Sequence, residues 1–173
     1  QERSSLWGVV GSARADGGAR AVVLQGPSGY GKSRLAEWLC PTAAECGAAQ
    51  ALIAGHDPAG APRQGLSRLV GHRFRVGGLS YDETVERIRA VLRDDGIIDE
   101  YEVRSLAEIA HPAGRTDAEP LGGVERVRFA SNNERFAIAA RELVRASYER
   151  PVVVWLDDVQ WGADSLSFVR YVL

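Results

Sequence analysis

The chain is short of several residue types, and each shortage narrows what it can be. Its 173 residues include no methionine, one lysine, two cysteines and three histidines. No apolar run approaches the roughly 18 residues that a membrane-spanning helix needs. The opening residues lack the basic, apolar and small-residue order of a secretory leader. A cytoplasmic setting without membrane association is therefore expected. Cys40 and Cys46 fit neither a zinc nor a redox spacing, and read as free thiols of a reducing compartment. His56, His72 and His111 are scattered, so no metal site is expected from them. Nor is there a charge excess: the formal net charge is −2 and the pI is about 6.0. A weakly acidic surface of this kind does not favour broad binding to nucleic acid or anionic lipid. The missing methionine and the start at Gln1 give the sequence the character of an excerpt.

What is present is ordinary for one globular domain with a real core: 45% hydrophobic and 25% charged residues, in a chain of sufficient length. No internal repeat or low-complexity tract interrupts it.

The organising stretch is Gly26-Pro27-Ser28-Gly29-Tyr30-Gly31-Lys32-Ser33. It reads G-x-x-x-x-G-K-[ST], the phosphate-binding loop or Walker A pattern. Ala21-Val22-Val23-Leu24 precedes it and reads as a buried parallel strand. Arg34 to Leu39 follows as an amphipathic helix with Leu35, Trp38 and Leu39 on one face, stopped near Pro41. In such a loop, successive backbone N–H groups and the helix N-terminus face a phosphate chain. Lys32 is the single lysine in an otherwise arginine-using chain. A compact ammonium at this place suits the outer phosphates better than a planar guanidinium. The Ser33 hydroxyl is placed to ligate magnesium. Residues 26–34, Arg34 included, are thus the expected nucleotide-binding segment.

Ahead of the loop, Leu6-Trp7-Gly8-Val9-Val10 is apolar. Trp7 reads either as packing against the sheet edge or as a wall for a nucleotide base. Ala48 to Ile53 is expected as a second strand. From Gly55 to Gly78 the chain is rich in Gly, Pro and Arg, with a short helical stretch around Leu66 to Val70. Ser80-Tyr81-Asp82-Glu83 is a capping box. It opens a helix that turns Val85, Ile88, Val91 and Leu92 inward and ends at Asp94-Asp95-Gly96. Asp99 to Ala110 follows, with Val103, Leu106 and Ile109 along a stripe. The two helices are expected as a hairpin appended to the sheet, inside a helical insertion spanning about 55–130. His111 to Gly123 reads as a loop. Ser131-Asn132-Asn133-Glu134 is a second capping box, starting a helix with Phe136, Ala140, Leu143, Val144 and Ser147 on one face.

Val152 to Asp158 is an apolar run ending in two acids, a Walker B pattern over 152–158. A buried strand would deliver both carboxylates at its C-terminal end, where ligand crevices of open parallel sheets lie. Asp157 is the expected magnesium contact. Asp158 is the expected general base or orienter of the attacking water, with Lys32 the other catalytic candidate. Gln160, close by, is either support for these acids or an ordinary loop residue. Ala163 to Leu173 reads as a helix.

Leu156-Asp157-Asp158-Val159-Gln160-Trp161-Gly162-Ala163-Asp164-Ser165-Leu166 resembles the D-D-x-x-W-x-D-x-x-S-L stretch of AAA-like STAND ATPase modules found in large bacterial regulators. The resemblance covers Ala21 to Cys40 and Arg135 to Val172, not the middle. It implies a P-loop NTPase of the ASCE, AAA-like kind: a three-layer α/β/α sandwich with a parallel sheet, incomplete here. It also implies Mg-ATP binding by Gly26 to Ser33, metal contact by Asp157 and a catalytic or water-orienting role for Asp158. The family's opening V-G-R segment is represented only by Leu6 to Gly11, and its sensor strand, last core strand and lid would follow Leu173. The leading expectation is Mg-dependent ATP binding and hydrolysis as a regulatory switch of a multidomain bacterial signalling protein. Its partners would be ATP or ADP, other domains of a larger regulator, and a second copy in a nucleotide-dependent oligomer. A non-hydrolysing scaffold or sensor is the alternative. A P-loop small-molecule kinase is the third, and the Asp157-Asp158 pair argues against it.

Overall fold

The computed structural model describes residues 1–60, 64–113 and 125–173. In chain order the elements are α1 (Glu2–Asp16), α2 (Lys32–Glu45), β1 (Gln50–Gly55), α3 (Leu66–Phe74), α4 (Tyr81–Asp94), α5 (Glu100–Ala110), α6 (Asn132–Ser147), β2 (Val152–Asp157), a 3₁₀ turn (Val159–Trp161) and α7 (Ala163–Val172). Most of the loop predicted at His111 to Gly123 lies outside the described residues.

The sheet is parallel, and among the described residues it has two strands. β1 pairs with β2 from Gln50 opposite Val152 to Gly55 opposite Asp157. The strand expected at 21–24 is not formed; Val23 is 82% exposed and Val22 49%. The reason is physical. An apolar run becomes a strand only where a neighbour supplies N–H and C=O partners, and among the described residues β1 and β2 pair only with each other. β1 is protected on one flank, because the Ile53 N–H donates to Nδ1 of His72 on α3 at 3.2 Å.

The main core gathers Leu52 and Ala54 of β1 with Leu66, Leu69 and Phe74 of α3, Val85, Ile88 and Leu92 of α4, Val103 and Leu106 of α5, Phe136 of α6 and Phe168 of α7. The expected hairpin of α4 and α5 is present. It is not an appendage, however: together with α3 it forms the centre of this cluster. The α3 helix is longer than its composition indicates because Leu66, Leu69, Val70 and Phe74 all turn into the core, so burial outweighs the glycine and arginine content.

Local chemistry explains where the helices begin. The Ser80 hydroxyl accepts from the Glu83 N–H at 3.3 Å, while Glu83 accepts from the Ser80 N–H at 2.8 Å, a complete capping box. Asp99 caps α5 by accepting from the Tyr101 N–H at 2.9 Å. At α6 only half the box closes. Ser131 accepts from the Glu134 N–H at 3.2 Å, but the Glu134 carboxylate takes the Ala130 N–H at 2.7 Å instead.

Two helices depart from expectation. Pro41 lies inside α2 and does not end it. The proline removes the one N–H that would have met the Glu37 carbonyl, a loss offset by the burial of Leu39, Cys40 and Ala43 around it, and the Thr42 hydroxyl donates separately to the Trp38 carbonyl at 2.6 Å. The buried face of α2 is Ala36, Leu39, Cys40 and Ala43, with Leu35 and Trp38 half-buried at its margin. On α6 the buried residues are Phe136, Ile138, Ala139, Glu142 and Ala146, while Val144 is 53% exposed. The stripe is rotated because a carboxylate occupies its middle. Glu142, 1% exposed, pairs with Nε of Arg73 at 3.0 Å and with Arg145 at 2.5 Å. Arg145 also reaches the buried Glu102 of α5 at 2.9 Å, and Arg141 reaches the same carboxylate at 3.2 Å. α3, α5 and α6 are thus joined by ionised side chains as well as by apolar contact.

Trp7 sits on α1 and packs against Trp38 of α2, ring centroids 6.3 Å apart, not against the sheet edge; the Arg3 guanidinium lies 4.9 Å above the Trp38 ring. No helix among the described residues is long and apolar enough to cross a membrane.

Candidate functional site

The loop at 26–33 passes directly into α2, with Gly31 as the residue before its first turn. Gly29 and Gly31 have φ of 85° and 80°, the left-handed region that glycine enters without a Cβ clash. A Cβ built on either would meet nothing within 4 Å, so the backbone, not crowding, selects glycine, and the space above the loop is open. The Lys32 ammonium folds back over the loop, donating to the Gly26 and Pro27 carbonyls at 2.8 Å each. Ser28, Tyr30 and Arg34 project into solvent.

The second part comes from 124 residues further on. The Ser33 hydroxyl donates to Oδ1 of Asp157, the last residue of β2, at 3.1 Å. The following Asp158 is exposed and adopts φ 49°, ψ 38°, a left-handed conformation that Asp tolerates better than most residues. It turns the chain sharply out of the strand. Its carboxylate accepts from the Gln160 amide at 3.1 Å, an exposed contact within the turn that does not reach Asp157. A hydroxyl beside a carboxylate is an oxygen donor set suited to a hard divalent ion such as Mg²⁺. Among the described residues no group of three or more His, Cys, Asp or Glu could hold a metal. A magnesium ion bound with a nucleotide takes only one or two protein oxygens, with phosphate and water completing its shell. Ser33 and Asp157 are the residues that would hold it.

His56 was not singled out for this site. It follows β1, and its Nδ1 lies 2.7 Å from the Asp157 carbonyl oxygen while Nε2 lies 2.8 Å from the Ser165 hydroxyl of α7. The one sequence signal available was its position at the C-terminal end of a parallel strand, the edge where sites of this architecture gather.

A glycine loop opening a helix beside a strand-end carboxylate, on a parallel α/β sheet, defines the P-loop nucleotide-binding class. A match to the AAA ATPase domain family spans residues 1–171, and the chain belongs to that family. Its fold is therefore that of the P-loop NTPases, and nucleotide binding and hydrolysis are the functions family membership points to. Comparison with curated proteins and with solved structures gives no match.

Proposed function

We propose that the chain binds Mg-ATP through residues 26–34 and hydrolyses it, serving as a regulatory switch within a larger bacterial signalling protein. The observation that carries this is the 3.1 Å contact of Ser33 with Asp157, which brings the predicted phosphate loop and the predicted acid pair to one place. The N–H groups of 26–33 cradle the phosphates, at a helix start whose dipole favours negative charge. Lys32 exchanges its two carbonyl partners for phosphate oxygens. Ser33 and Asp157 hold the metal ion, which when bound supplies charge neutralisation on the phosphates. Asp158, exposed at the turn, orients the attacking water and accepts its proton. Catalysis then rests on positioning and charge, as phosphoryl transfer generally does. Switching follows if the exposed loop segments become ordered around the triphosphate and relax after hydrolysis.

Calorimetry with Mg-ATP tests the assignment. Lys32→Ala is expected to lower affinity by about tenfold or more, since a charge-assisted contact contributes roughly 1.5–3 kcal/mol, with the fold kept by circular dichroism. Unchanged affinity would refute the loop's role. Asp158→Asn is expected to keep binding and reduce phosphate release by about 100-fold or more, within the range of general-base losses. A wild-type chain that binds ATP but releases no phosphate over hours would instead establish a non-hydrolysing sensor.

A further inference from the structure

His56 occupies a slot made for a flat ring. A Cβ added to Gly162 would fall 2.3 Å from the imidazole, and one added to Gly65 would fall 3.0 Å from its Nε2 and 2.5 Å from the Ser165 hydroxyl. Gly162 precedes α7 and Gly65 precedes α3, so the ring is clasped between two helix starts and the ends of both strands. Its hydrogen bonds define its form. The Asp157 carbonyl oxygen can only accept, so Nδ1 carries a proton and donates. In the neutral ring Nε2 then accepts from the Ser165 hydroxyl, which is 3% exposed.

The bonded carbonyl matters because of what shares its plane. The Asp157 C=O and the Asp158 N–H belong to one rigid peptide unit. Fixing the oxygen fixes that plane, and with it ψ of Asp157 and φ of Asp158. The two carboxylates leave the chain on either side of this peptide. We propose that His56 is a positioning residue for the acid pair. Its imidazole, held by Ser165, locks the peptide between Asp157 and Asp158 so that the first carboxylate stays at Ser33 while the second turns outward. The inference rests on the ATPase reading above, and extends it to a residue that touches neither nucleotide nor metal.

The test uses the full chain with four substitutions. His56→Ala removes both bonds. His56→Asn places an amide donor near the Nδ1 position and restores the bond to Asp157. Ser165→Ala frees one end of the ring. Lys32→Ala reports separately on nucleotide binding. For His56→Ala, the gain in ATP affinity on adding magnesium and the rate of phosphate release should each fall by about 10-fold or more, the usual effect of losing a group that orients a metal ligand. Affinity without metal should stay near wild type. His56→Asn should recover most of both losses.

Magnesium dependence unchanged in His56→Ala, metal-free affinity falling in step with it, or His56→Asn behaving like His56→Ala would each overturn the proposal. If His56→Ala does not fold, Ser165→Ala decides in the same way, by a loss of magnesium dependence at constant metal-free affinity or by no loss. Nitrogen NMR of the nucleotide-free wild type gives an independent reading. An Nδ1–H tautomer is expected, and an Nε2–H tautomer would refute the geometry. If Lys32→Ala lowers affinity while His56→Ala changes nothing, this inference alone fails. If the wild type binds no nucleotide, the ATPase reading fails and takes this inference with it.

Discussion

Cys40 and Cys46 lie close in sequence and far apart in accessibility. Cys40 is 1% exposed beneath α2, and burial raises its thiol pKa above the ordinary value. Cys46 is exposed, and both are free thiols. Because the thiolate is the reactive form, a maleimide added to the native chain should label Cys46 within minutes and Cys40 only on unfolding. Peptide mass mapping reads this directly, and equal labelling would mean that α2 does not pack on the sheet as described. The same contrast between local and distant information governs which site residues are visible in the sequence. Ser33 and Asp157 could be marked as candidates because each sits in a short pattern with a mechanism attached. His56 could not, because its partners Asp157 and Ser165 are 101 and 109 residues away and its glycine slot exists only in three dimensions.

Among the elements, the clearest sequence signals were chemical ones at the helix starts. Ser80 announces α4 and makes the expected cap, while Asp99, read as the first residue of α5, instead caps it from one position before. Replacing Ser80 with alanine should lower stability by about 1 kcal/mol, measured by urea denaturation with an unchanged m-value. The Glu83 carboxyl is held below its ordinary range by the Ser80 hydroxyl and N–H. This part of the cap is therefore present above the unfolded carboxyl range and lost as acid protonates Glu83. Signals that depend on neighbours were less legible. Residues 21–24 have strand composition without a ladder partner. Pro41 reads as a stop, yet the helix runs through it with Leu39, Cys40 and Ala43 buried on either side. The face of α6 differs from the expected stripe because a hydrophobic pattern does not reveal that a glutamate will be buried at its centre, and of the two arginines that meet Glu142 one, Arg73, lies on α3.

For the whole molecule that buried carboxylate carries a pH signature. Burial raises the Glu142 pKa, while Arg73 and Arg145 pull it down and Asp95 adds to the rise. The folded state therefore holds this proton to higher pH than the unfolded chain does. With more protons bound in the folded state, stability falls as pH rises from the unfolded carboxyl range through the raised folded value. Glu142→Gln should abolish that segment of the slope. Urea unfolding carried from the ordinary carboxyl range up to neutral pH compares the two proteins, and parallel curves would show that Glu142 ionises as it does in water.

Arg73, Glu102 and Glu142 come from three separate helices, and Arg145 of α6 ties the two buried carboxylates together. Arg145 is the joint: without it each buried carboxylate would keep a single arginine, Glu142 with Arg73 and Glu102 with Arg141. Because Arg145 is shared between Glu102 of α5 and Glu142 of its own helix, sliding α5 by one turn, about 5.4 Å, would carry Glu102 away from it. The alignment of α5 against α6 is thus written in charge as well as in apolar packing.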